Sequence, residues 1–129
     1  DWTLTGSYSF LRMDVVLDPG SADSLVEGDE SRSPKHMFNV RSHYKVTDDL
    51  DLDNTIYYYD SIRDPVKAQT VGENIRLDTS LTYRPMEDVE LKLVGQNLLD
   101  DSHPEFSGAT YNTQAEIPRS IYGKVTLRF

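Results

Sequence analysis

Two acidic clusters and two histidines hold most of the chemistry that these residue types could perform. Asp49, Asp51 and Asp53 stand at alternate positions, as at the start of a calcium loop. Such a loop needs Gly at its sixth position and Glu at its twelfth, where this chain has Asn54 and Asp60. Leu50 and Leu52 interleave the acids and Tyr57-Tyr58-Tyr59 follows, so a strand with one polar face accounts for the same residues. Asp100, Asp101, His103 and Glu105 are the densest set of metal-ligand types, but their spacing fits no tetrahedral zinc pattern. At the start of a loop, such acids are ordinarily solvated. His36 and His43 have no nucleophile or acid placed to work with them, and the sequence holds no phosphate loop, nucleophile elbow or triad. We therefore expect no enzyme activity, no cofactor and no metal. With no cysteine there is neither a disulfide framework nor a thiolate site.

The elements that carry these residues are strands. Period-two alternation recurs about six times along the 129 residues, whereas the helical period never holds for two turns. The expected strands run from about Trp2 to Val16, Met37 to Thr47, Leu50 to Ile62, Asn74 to Arg84, Val89 to Leu99 and Ile121 to Phe129. One face collects Trp2, Leu4, Tyr8, Phe10, Phe38, Val40, Tyr44, Leu52, Ile56, Leu77, Leu81, Leu91 and Leu93, with Asn54 as an interruption. The other collects charges of both signs, among them Arg41, Lys45, Asp51, Asp53, Arg76, Asp78, Arg84, Glu90, Lys92, Lys124 and Arg128. Charges facing one another on adjacent antiparallel strands can pair across a wet interior.

Connection lengths constrain the topology. Thr47-Asp48-Asp49 and Pro85-Met86-Glu87-Asp88 are tight turns, while Pro19 to Lys35, Arg63 to Glu73 and Asp101 to Ala115 are long, polar loops. Short turns at one end and long loops at the other are the asymmetry of an outer-membrane barrel, with the short turns periplasmic. Trp2, Tyr44, Tyr83 and Phe129 then fall on the outward face at the periplasmic level, as an aromatic girdle would. Low mean hydropathy is compatible with this class, because every second residue of a barrel strand is polar, and no stretch is long and apolar enough for a spanning helix. A net charge of -9 argues against a nucleic-acid partner.

The last strand is the most specific. Ile121, Gly123, Val125, Leu127 and Phe129 alternate with Tyr122, Lys124, Thr126 and Arg128 and finish on an aromatic residue. Together with Gly95-Gln96-Asn97-Leu98-Leu99-Asp100-Asp101, His103-Pro104-Glu105-Phe106 and Glu116-Ile117-Pro118-Arg119-Ser120, this strand resembles the C-terminal end of TonB-dependent outer-membrane receptors. In that family an Asn-Leu-Leu/Phe-Asp/Asn element ends the penultimate strand and an Arg-x-x-Tyr/Phe-Gly strand closes the barrel. The resemblance implies an all-β fold, an antiparallel meander that forms the C-terminal segment of a barrel of about 22 strands. It implies an outer-membrane setting in lipid, a missing plug and earlier strands, and uptake of a ferric siderophore or similar nutrient by the parent receptor. It also implies that Ile121, Tyr122, Gly123, Val125, Leu127 and Phe129 close the barrel and signal to the barrel-assembly machinery.

No plug-like segment, energy-coupling box or secretory signal precedes the strands, so the chain is expected to be a fragment. Six open strands leave two unpaired edges, which favours self-association between copies or a rearranged closure. Two alternatives come from other classes. A small autonomous barrel with a structural or adhesive role needs about eight strands, with Phe106 to Thr113 as one candidate. A soluble sandwich binding carbohydrate through Tyr57 and Tyr59 needs its apolar faces to meet in a dry core.

Overall fold

The computed structural model describes residues 1–21, 30–64, 69–104 and 116–129. Alternation of apolar and polar residues, bounded by turn formers, gives β1 (Trp2–Phe10), β2 (His36–Lys45), β3 (Leu50–Tyr59), β4 (Ile62–Asp64), β5 (Gln69–Val71), β6 (Asn74–Met86), β7 (Val89–Gln96), β8 (Ser102–Pro104), β9 (Glu116–Pro118) and β10 (Ser120–Leu127). Six of them form one antiparallel sheet in the order β1-β2-β3-β6-β7-β10, a meander whose neighbours in space are neighbours in sequence but for two small hairpins. Those hairpins, β4–β5 and β8–β9, stand at two of the loops expected from sequence, although β4 begins one residue before its loop, at Ile62, and β9 lies just past Ala115. No described helix is long and apolar enough to cross a membrane.

The register places each expected apolar residue on one face. One row across the sheet reads Trp2, Tyr44, Leu52, Leu81, Leu93 and Gly123, and the next toward the long loops reads Leu4, Ser42, Asn54, Thr79, Gly95 and Ile121. Extensive contacts run only between strand neighbours, so no second layer covers either face among the described residues. Burial is inverted relative to a soluble domain. Asp51, Ser80, Thr82 and Asn97 are buried, at 7, 9, 4 and 0% exposure, and Ile62 of the β4–β5 hairpin is the one buried apolar side chain described. Trp2, Leu4, Tyr8, Ile121, Val125 and Leu127 are all more than half exposed.

Several strand ends differ from the sequence reading, and β2, β7 and β10 stop two or three residues early, at Lys45, Gln96 and Leu127. The alternation after Phe10 continues to Val16, yet pairing with β2 stops at Leu11, whose N donates to Lys35 O. Strand β3 stops at Tyr59, where Asp60 turns its carboxylate onto Ser61 N at 2.8 Å, and Ile62 starts a separate hairpin. Strand β6 runs past Arg84 to Met86 because the register slips by one residue between Tyr83 and Met86, and Pro85 sits in that bulge.

Candidate functional site

The predicted closing residues lie on a single strand but on two faces. Ile121, Gly123, Val125 and Leu127 stand opposite Gly95, Leu93, Leu91 and Val89 on the apolar face, while Tyr122 stands opposite Val94 on the polar one. Phe129 lies just beyond β10 and is fully exposed. Strand β10 pairs with β7 along one edge, and its other edge is free among the described residues, as is the outer edge of β1. A Cβ on Gly123 would meet nothing nearer than Lys92 O at 3.9 Å, so the sheet's own packing does not require glycine there.

The Gly95-Gln96-Asn97-Leu98 motif has a local cause. Asn97 adopts φ 52°, a left-handed conformation that Asn tolerates better than other side chains, and so ends β7. The turn is fixed on three sides: Asn97 N donates to Asp78 Oδ1 at 3.0 Å, Asn97 Nδ2 donates to Ile117 O at 3.0 Å, and Leu98 N donates to Leu77 O at 3.0 Å. Leu98 folds back over Gly95, where an added Cβ would come within 2.9 Å of Leu98 Cδ2. Asn97 Oδ1 has no partner among the described residues. Beyond the turn, Arg119 reaches Asp101 at 3.1 Å through its guanidinium and donates its N–H to Asp101 O at 2.9 Å. The two halves of the sequence motif, around Asn97 and Arg119, are thus one corner in space.

The polar face carries charge pairs, some made across neighbouring strands and one, Arg76 with Asp78, within β6. Asp53 accepts from Arg41 at 3.0 Å and lies 3.0 Å from His43 Nδ1, which gives that histidine a structural partner. Arg84 lies between Asp51 of β3 and Glu90 of β7. Arg76 bonds Asp78 and covers the Tyr57 ring at 5.0 Å from its centroid. Asp51 and Asp53 are therefore committed to cations, as a strand with a polar face implies, and Asp49 sits in the turn with its N–H on Thr47 Oγ1. At that turn Lys45 hydrogen-bonds Asp48 at 2.8 Å, and this bond, reinforced by the ammonium charge, holds the Asp48 carboxyl below its usual range. Because the pKa is lowered, the contact is present above the ordinary carboxylate value and lost only as pH falls through the lowered one. In the other acidic cluster, Asp100 accepts from Asn74 at 3.4 Å and Asp101 is held by Arg119, while Glu105 and the segment Phe106 to Thr113 lie outside the described residues. No group of three or more metal-ligand side chains assembles among the described residues.

Two features of the apolar face were not read from the sequence. Tyr8, Phe38 and Tyr58 form a row with Ile75 near the long loops, Phe38 and Tyr58 stacking at 4.9 Å, with Phe10 and His36 beyond them. The face therefore carries aromatics at both ends. Between those ends the polar groups satisfy one another: Trp2 Nε1 donates to Ser42 Oγ at 2.8 Å, and Thr79 Oγ1 donates to Asn54 Oδ1 at 2.9 Å. Neither pairing is visible without the register. At the short-turn end, Tyr83 lies two residues beyond the Trp2–Tyr44 row and Phe129 six residues beyond it. That drift amounts to about one residue per strand, which is the stagger of strands tilted by roughly 35–45°.

The sequence matches no protein-family model and no curated protein. Solved structures do share the fold. The ferric-catecholate import receptor Fiu of E. coli K12, in its closed form, aligns at TM-score 0.76 and 19% identity over 99% of this chain and 19% of its own. The siderophore receptor PiuA of Acinetobacter baumannii aligns at 0.75 and 22% identity over 97% of this chain and 19% of its own. A variant of the ferric enterobactin receptor PfeA of Pseudomonas aeruginosa aligns at 0.74 and 17% identity over 99% and 20%. This chain thus spans about a fifth of the length of these receptors. At such identities the likeness is one of fold: the chain is all-β, and its antiparallel meander has the fold of a segment of these receptors' barrels.

Proposed function

We propose that this chain is the C-terminal wall segment of a TonB-dependent receptor in the bacterial outer membrane, and that the parent receptor imports a ferric siderophore. The inversion of burial carries the reading. A sheet with exposed Leu, Ile, Val and aromatic side chains on one face and buried Asp51, Ser80 and Thr82 on the other suits lipid outside and a polar interior. The aromatic rows at both ends of the apolar face and the mutual satisfaction of Asn54 with Thr79 support it, since unpaired polar groups are costly in hydrocarbon. The substrate class is carried over from the ferric-catecholate, siderophore and ferric enterobactin receptors of like fold. The long loops at the outer end are where ligand contacts would fall. Strand β10, with Ile121, Tyr122, Gly123, Val125, Leu127 and Phe129, would close the wall and present the assembly signal, its free edge suiting strand addition. The autonomous barrel and the carbohydrate-binding sandwich fit less well, because the six-stranded sheet has two free edges and no dry apolar core among the described residues.

Trp2 is the sole tryptophan, sits on the apolar face and is 67% exposed, so it reports on the proposal directly. Refolded into lipid vesicles, the chain is expected to show blue-shifted Trp2 emission, quenched most by lipids labelled near the headgroup. Emission characteristic of water, with the same spectrum in plain buffer, would overturn the membrane reading.

A further inference from the structure

Charges on the polar face balance everywhere but at one edge. Asp51 and Glu90 are met by Arg84, Asp53 by Arg41 and His43, and Asp78 by Arg76. Lys92 and Lys124 have no ion pair among the described residues, and they stand directly opposite one another across β7 and β10. Like charges so placed destabilise a strand pair. Arg128 follows on the same side of the chain, also without an ion pair among the described residues. A chain of net charge -9 thus places Lys124 and Arg128, neither in an ion pair among the described residues, on the strand at its free edge, with Asp88 opposite Arg128 at the turn end.

Two cations of the sheet are met from a neighbouring strand, Arg41 of β2 by Asp53 of β3 and Arg84 of β6 by Asp51 of β3 and Glu90 of β7, while Arg76 is met within β6 by Asp78 and Lys45 by Asp48 of the following turn. The strand that would meet Lys124 and Arg128 is the one on the open side of β10. A second copy of this chain does not supply it. Its β1 offers Thr3, Thr5, Ser7 and Ser9 to the polar face, and its β10 offers only more lysine and arginine.

Resting on the barrel reading above, we infer that the free edge of β10 receives an antiparallel strand from outside this chain that presents Asp or Glu at alternate positions toward Lys124 and Arg128. Backbone hydrogen bonds supply the attachment, and the carboxylates supply the choice of partner and register.

The test uses the chain refolded in dodecyl-maltoside micelles and three synthetic strand peptides of about ten residues, with Val and Leu alternating with Glu, Thr or Lys. The Glu peptide is expected to bind roughly tenfold more tightly than the Thr peptide at low salt and to slow deuterium exchange in β10 but not in β1. The double variant K92E/K124E is expected to transfer that preference to the Lys peptide. Equal binding of the Glu and Thr peptides, binding of none, or protection of β1 in a sheet that is intact in micelles would overturn this inference alone. A chain that folds only in plain buffer would overturn the barrel reading and, with it, this one.

Discussion

Asn97 takes a conformation that few side chains tolerate, is wholly buried, and spends both its backbone N–H and its side-chain amide on holding other elements. A β-branched residue there would meet the left-handed strain and lose the bond to Ile117 O together. Asn97→Val is expected to lower stability by about 2–4 kcal/mol, and Asn97→Gly by about 1 kcal/mol because only the side-chain bond is lost. Urea unfolding in micelles measures both, and equal losses would remove the conformational part of the account. Gly95 depends on the same corner, since its missing Cβ leaves the space that Leu98 occupies. The motif around Asn97 was legible in the sequence as a pattern, but its cause was not. A left-handed residue and the cross-link to Ile117 depend on backbone geometry and on a partner twenty residues away.

Each strand is defined by what its two faces touch, and the consequences of mutation differ between them. Leu81 lies on the apolar face of a central strand, between Leu52 and Leu93. Leu81→Arg is expected to cost about 2–4 kcal/mol in a bilayer, whereas Ser7→Arg, on the polar face of β1, changes stability by under about 0.5 kcal/mol. Folding titrations in lipid vesicles distinguish them, and equal costs would mean that the faces are assigned wrongly. The faces were readable in advance because side chains alternate with a strict period of two and hairpins keep neighbours in order. Strand ends were not, because Arg12 to Val16 keep alternating after the ladder has run out at Leu11 and Lys35. The upper aromatic row is not legible in the sequence because Tyr8, Phe38 and Tyr58 come from three strands and share a level only through the register. Asn54 interrupts the apolar alternation in sequence, and Thr79 answers it only across the strand pair.

At the largest scale, the described residues form one curtain of six strands with two small hairpins, its polar side chains sheltering one another and its apolar ones bare. Such a surface is stable only where something apolar covers it. Diluted from denaturant into buffer without detergent or lipid, the chain is expected to form large, dye-binding associations within minutes, and sedimentation checks this. A monomer with a cooperative unfolding transition would contradict it. The drift of Trp2, Tyr44, Tyr83 and Phe129 by about one residue per strand carries a further consequence. Followed around a closed wall, a row of cross-strand partners does not return to its starting residue; it climbs like a screw thread. After one circuit the thread has advanced by about as many residues as there are strands. The offset between that thread's start and its return therefore counts the staves of the complete wall.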